Sequence, residues 1–76
     1  MTSLQPIPAQ KLEKLMEKLL CESRGTREGR AVYWRFDLVR PISFKESGMV
    51  PVIQQKQIIR ILNITVEKYL SLLQSV

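Results

Sequence analysis

The chain contains no histidine and only one cysteine, Cys21, among its 76 residues. A protein zinc site needs several cysteine or histidine ligands, so a zinc centre is excluded, and a single cysteine forms no internal disulfide. Without an imidazole to activate it, Cys21 is a poor nucleophile, and its place at the end of an apolar stripe predicts a buried structural thiol. The sequence therefore predicts a protein that is not an enzyme and that holds neither a metal nor another cofactor.

Glycine and long apolar runs are also scarce. None of the three glycines stands in the strand–loop–helix setting of a phosphate-binding loop, and no apolar run approaches the roughly 18–20 residues that cross a bilayer. The scattered carboxylates form no evident acid–base pair, so no small-molecule substrate is indicated. Residues 1–10 lack the basic and apolar segments of a secretory signal, which with the single cysteine predicts a cytoplasmic protein without a membrane partner.

Positive charge is abundant: twelve Lys and Arg against seven Asp and Glu give a net charge of +5. Such an excess favours polyanionic partners. Five arginines fall within residues 24–40, and arginine suits phosphate because its planar fork donates two hydrogen bonds at once. They are Arg24, Arg27, Arg30, Arg35 and Arg40. The alternative is an ordinary solvated surface on which Arg35 pairs with Asp37 or another acid.

The first third of the chain predicts an arm followed by a helix. Residues 1–8 read as an N-terminal arm, because Pro6 and Pro8 disfavour a helix, and residues 9–76 as one small domain. From Ala9 to about Cys21, apolar residues recur at three- and four-residue spacing, which predicts an amphipathic helix. The stripe consists of Leu12, Leu15, Met16, Leu19 and Leu20. It suits either the core or a dimer interface.

The middle third predicts a loop and a short antiparallel β element. Residues 22–30, ESRGTREGR, have no apolar anchor and predict a mobile basic loop. Residues 31–39 alternate between apolar and polar, which predicts a half-buried strand. We expect Val32, Trp34, Phe36 and Leu38 to face the core, and Tyr33, Arg35 and Asp37 to face solvent. Residues 41–53 predict short strands around a turn at Ser47-Gly48, pairing with the first strand.

The last third, QKQIIRILNITVEKYLSLLQ at residues 55–74, predicts two helices separated at residues 63–65. Asn63 tolerates the left-handed conformation that ends a helix, and Thr65 is a good N-cap for the next. We expect Ile58, Ile59 and Leu62 of the first helix, and Tyr69 and Leu72 of the second, to face inward.

This stretch resembles the helix-turn-helix unit of DNA-binding regulators. It departs from that family at Ile59, where a small residue is usual, and in the apolar character of its second helix. The resemblance implies phosphate contacts from Lys56, Arg60 and Lys68, and we expect the arginines of residues 24–30 to add to them. It implies base contacts from Thr65, Glu67, Lys68 and Ser71.

The sequence thus predicts an α+β domain with an N-terminal amphipathic helix, a short antiparallel β element and a C-terminal helix-turn-helix-like pair. The leading function is a small DNA-binding transcription regulator that binds double-stranded DNA as a homodimer. Apolar residues in excess of one small core predict the dimer or partner interface, and these are Leu12, Leu19, Val66, Leu70 and Leu73. Two alternatives stay open: a protein-interaction module that docks a partner through its C-terminal helices, and RNA binding through the strand face around Tyr33 and Arg35.

Overall fold

A computed structural model describes residues 3–76, so the first two residues of the predicted arm lie outside the described residues. The described chain is an α+β domain with three helices and two small antiparallel sheets, as predicted. In chain order the elements are β1 (Ile7–Pro8), α1 (Ala9–Lys18), β2 (Glu22–Arg27), β3 (Arg30–Trp34), β4 (Ile42–Lys45), β5 (Met49–Val50), α2 (Val52–Leu62) and α3 (Val66–Gln74). No helix within residues 3–76 combines the length and the apolar character needed to cross a membrane.

The larger sheet has the strand order β2-β3-β4, with both pairs antiparallel, and β1 pairs with β5 in the smaller sheet. The prediction of a loop at residues 22–30 was wrong, because Glu22–Arg27 is a strand and only Glu28 and Gly29 form the turn. Every residue of β2 is exposed. An edge strand of this kind is held by backbone pairing to β3, so it carries no apolar alternation by which the sequence reveals it.

The predicted faces of the next strand were also wrong. Ala31 and Tyr33 are buried, whereas Val32 and Trp34 lie half-buried on the opposite face. The strand ends at Trp34, and Phe36 beyond it is 85 % exposed. Leu38 returns to the core through a turn in which its N–H donates to the carbonyl of Arg35. Alternation defined two faces correctly, but it did not determine which of them the helices cover.

The core lies between the inner sheet face and the helices. Leu12, Leu15 and Met16 of α1 are fully buried, and the rings of Tyr33 and Phe44 stack at 5.7 Å between centroids. Three inward positions of α2 are buried as predicted, namely Ile58, Ile59 and Leu62. Tyr69 of α3 is buried as predicted, but Leu73 rather than Leu72 is its buried leucine.

The junction between α2 and α3 has the predicted local structure. Asn63 adopts the left-handed conformation, with φ 57° and ψ 47°. The N–H of Lys68 donates to the side-chain oxygen of Thr65 at 3.1 Å, so Thr65 is the N-cap. Both features follow from local side-chain chemistry, which is why the sequence was sufficient to place them.

The turn between β2 and β3 places a non-glycine residue in a strained conformation. Both turn residues have positive φ, 53° at Glu28 and 77° at Gly29, which is the geometry of a type I′ hairpin. Asparagine tolerates this conformation at the first position far better than glutamate. We therefore expect Glu28→Asn to raise the free energy of unfolding by about 0.5–1 kcal/mol, measured by urea denaturation.

Glu46→Asn is the matched control, because Glu46 is equally an exposed glutamate but is not among the positive-φ residues. Both changes remove one negative charge, so a purely electrostatic effect appears in both variants. An equal gain in the two would show that the backbone conformation at residue 28 is not the cause.

Candidate nucleic-acid interface

The larger sheet has an outer face opposite the one that packs on the helices. Residues directly across an antiparallel pair point to the same side, so the register separates the two faces. Tyr33 pairs with Ile42 and Ala31 with Phe44 on the inner face. We call the opposite side the outer sheet face. Its members are Glu22, Arg24, Arg27, Arg30, Val32, Trp34, Ser43 and Lys45.

Three cations stand directly opposite one another on this face. Arg27 of β2 pairs in register with Arg30 of β3, which pairs in turn with Lys45 of β4. We call these three residues the cation row. Neighbouring strands lie about 4.8 Å apart, so the row spans roughly 10 Å at the backbone. Among residues 3–76, no carboxylate lies within 4.0 Å of these cations. Arg30 donates one hydrogen bond, to Ser43 Oγ at 3.3 Å.

A shallow groove adjoins the cation row and has a volume of about 650 Å³. Its lining combines apolar, basic and hydroxyl side chains, namely Arg24, Arg27, Val32, Trp34, Pro41 and Ser43. The guanidinium carbon of Arg24 lies 5.2 Å from the centre of the Trp34 ring, which is a cation–π contact. Arg24 also approaches the carboxylate of Glu22 at 3.7 Å, and both side chains are more than half exposed. The groove therefore offers an aromatic ring and cations to the same ligand.

Arg35, a predicted nucleic-acid contact, is engaged within the chain instead. Its Nε donates to Asp37 Oδ1 at 2.6 Å, and its Nη1 donates to the carbonyl oxygen of Leu19 at 2.7 Å. The hydrogen bond raises the pKa of Arg35 and lowers the pKa of the Asp37 carboxyl. Arg35 thus fastens the end of β3 to the end of α1. Since Tyr33 is buried, the predicted surface of Tyr33 and Arg35 does not exist.

The helix-turn-helix-like pair presents a different surface. Its predicted contacts are all exposed, and they are Lys56, Arg60, Thr65, Glu67, Lys68 and Ser71. On α3, however, the one cation, Lys68, adjoins the one anion, Glu67. The backbone of α3 lies close to that of α1 at more positions than it lies close to that of α2. This agrees with buried Ile59, whose bulk at the expected crossing point opposes close packing of α2 on α3.

The residues predicted for a dimer or partner interface lie mainly inside the chain. Leu12 and Leu73 are buried in its own core, so neither offers surface to a partner. Leu19 and Leu70 are half-buried against that core, and only Val66 is exposed, at 41 %. Of the five predicted interface residues, all but Val66 are thus covered wholly or in part by packing within the chain.

Cys21 is buried, as predicted for a structural thiol. Desolvation is the main reason why its pKa is raised, so the protonated thiol is favoured at neutral pH. Within residues 3–76, no group of three or more Cys, Asp or Glu side chains is arranged to hold a metal ion.

Trp34 and Lys45 were missed as site residues by sequence reasoning. Trp34 was assigned to the core because it alternates with Val32, Phe36 and Leu38. The sequence does contain a signal for the correct face. The other side of the same strands is also apolar, because it carries Ala31, Tyr33, Ile42 and Phe44.

Comparisons with protein-family models, with curated proteins and with solved structures found no match for this chain.

Proposed function

We propose that this protein is a non-catalytic nucleic-acid-binding module whose contact surface is the outer sheet face. The observation that carries the proposal is the cation row, in which Arg27, Arg30 and Lys45 occupy directly opposed positions. Like charges at opposed positions destabilise a sheet. A phosphate backbone brought to this face removes that repulsion and releases its own counterions, so binding becomes favourable and dependent on salt.

The chemistry of the side chains supports phosphate as the ligand. Arginine forks donate bidentate hydrogen bonds to phosphate oxygens, and Arg24 and Arg27 extend the basic surface along the edge strand β2. Carboxylates near the row are few. Glu22 adjoins Arg24, Glu28 occupies the exposed hairpin turn, and Glu46 follows Lys45 in the chain. The result is a local positive surface on a protein with net charge +5.

Binding of double-stranded DNA by the helix pair is the competing proposal. The specific observation in its favour is the exposed face of α3 with Thr65, Glu67, Lys68 and Ser71. Lys68 and Glu67 are the only charged residues of α3, so the net charge of that helix is zero. Since phosphate neutralisation supplies most non-specific affinity, the outer sheet face is the better supported surface.

Two triple variants separate these surfaces. The first carries Arg27→Gln, Arg30→Gln and Lys45→Gln, and the second carries Lys56→Gln, Arg60→Gln and Lys68→Gln. Each removes three positive charges, so both change the net charge of the protein equally. At low salt we expect the first variant to bind a fluorescent oligonucleotide roughly 30- to 100-fold more weakly, and the second within about threefold of the parent chain.

The measurement is fluorescence anisotropy across a salt titration, with circular dichroism to verify folding. In the first variant, the slope of log Kd against log salt should fall by about 2 for a single strand. If the second variant loses the affinity and the first retains it, the helix pair is the binding surface. If the parent chain binds no nucleic acid at low salt, the proposed function fails altogether.

A further inference from the structure

The groove beside the cation row contains an aromatic ring, the indole of Trp34, that phosphate binding does not use. Trp34 is the only tryptophan of the chain, and it lies half-buried on the charged face, away from the aromatic pair Tyr33–Phe44 in the core. Resting on the proposed function, we infer that the outer sheet face binds single-stranded nucleic acid, with one unpaired base stacked on the indole of Trp34.

The position of Arg24 shows where a planar group fits. Its guanidinium already lies over the Trp34 ring at 5.2 Å. Nucleobases stack on aromatic side chains in single-strand-binding proteins, with little dependence on sequence. A base that takes this place frees Arg24 to donate to an adjoining phosphate, and Glu22, at 3.7 Å, engages Arg24 when the ligand is absent.

The surroundings of the ring suit a base. Val32 and Pro41 provide apolar lining, and the groove volume of about 650 Å³ is within the usual range of small-ligand sites. Arg27 lines the same groove and belongs to the cation row. A nucleotide placed here therefore contacts an aromatic ring with its base while the adjoining phosphates meet cations.

The geometry favours an unpaired strand over a duplex. In a duplex both faces of a base are already stacked, so contact with Trp34 requires that the base first leave the helix, which weakens binding. The outer sheet face is also three strands wide, broader than the single helix or two-stranded ribbon that a major groove admits. RNA and DNA share the chemistry of an unpaired base between phosphates, and both are included in the test.

The test uses the intact chain and oligomers of about 12 nucleotides, within the site sizes of single-strand binders. The probes are oligo(U), oligo(dT), an abasic DNA strand with the same number of phosphates, and a DNA duplex. We expect both single strands to quench the fluorescence of Trp34 and to bind at least about tenfold more tightly than the abasic strand. Preference for oligo(U) or for oligo(dT) identifies the natural source of the ligand, and either supports the inference.

Two variants at residue 34 provide the control. Trp34→Leu keeps an apolar side chain but removes the aromatic face, so its affinity for both single strands should fall about tenfold while abasic binding stays unchanged. Trp34→Phe should retain most of the affinity. Circular dichroism verifies that both variants fold.

The experiment gives different results if only the inference fails and if the proposed function fails as well. If the abasic strand binds as tightly as oligo(dT), or if the duplex binds best, base stacking is refuted while nucleic-acid binding stands. If none of the four probes binds at low salt, both are refuted.

Discussion

Replacing Phe44 by alanine is expected to lower the free energy of unfolding by about 3–5 kcal/mol, the usual cost of removing a buried phenylalanine. Phe44 is fully buried and stacks on Tyr33. A chain of 76 residues has a typical stability of about 4–11 kcal/mol, so this loss removes a large part of it. Urea denaturation followed by circular dichroism measures the change, and Phe44→Leu provides a milder variant if the alanine variant does not fold.

Phe36→Ala is the matched comparison, because Phe36 and Phe44 are the only two phenylalanines in the chain. Phe36 is 85 % exposed, so its removal should change the free energy of unfolding by no more than about 0.5 kcal/mol. A loss at Phe44 as small as that at Phe36 would contradict the burial of the inner sheet face, and the outer sheet face would lose its basis as a binding surface.

The second large effect is expected at Gln55, the one buried polar residue of the described core. Its Nε2 donates to the carbonyl oxygens of Gln5 at 2.7 Å and of Val50 at 3.1 Å, and its Oε1 accepts from the Tyr69 hydroxyl at 2.9 Å. This network connects the N-terminal arm and β5 to α2 and α3. Burial also raises the pKa of the Tyr69 hydroxyl well above its ordinary value, so it remains a protonated donor at neutral pH.

We expect Gln55→Leu to lower the free energy of unfolding by roughly 3 kcal/mol, because it removes the partner of the buried Tyr69 hydroxyl, of the Val50 carbonyl and of the part-buried Gln5 carbonyl. Tyr69→Phe removes one donor and leaves only the Gln55 oxygen unpaired, so its cost should be about 1–3 kcal/mol. Chemical denaturation of the two variants gives both values.

Gln57→Leu is the control for the change of side chain, since Gln57 lies on the same helix but is exposed. It should alter stability by no more than about 0.5 kcal/mol. If Gln55→Leu proves as harmless as Gln57→Leu, the buried network contributes no net stability, and the arm is held by the pairing of β1 with β5 and by the packing of Leu4 and Ile7.

Local chemistry explains why the sequence predicted the helix faces and helix ends correctly. It also explains why the sequence predicted only part of the candidate site. The apolar spacing of Leu12, Leu15 and Met16 requires one buried helix face, and Asn63 and Thr65 terminate and begin helices through their own side chains. The arginines of residues 24–30 were recognised as candidate phosphate contacts. The sequence did not bring them together with Trp34 and Lys45, because those contacts cross three strands.

The sequence by itself therefore determined the α+β class, the stripes of the helices and the junction at Asn63, because each depends on residues close together in the chain. Tertiary structure decided which face of β3 is buried. Both of its faces carry apolar residues, and the helices cover the one with Ala31 and Tyr33. It also decided that residues 22–27 form a strand, since an exposed edge is held by backbone pairing with β3. Those two outcomes together place Trp34 among the arginines.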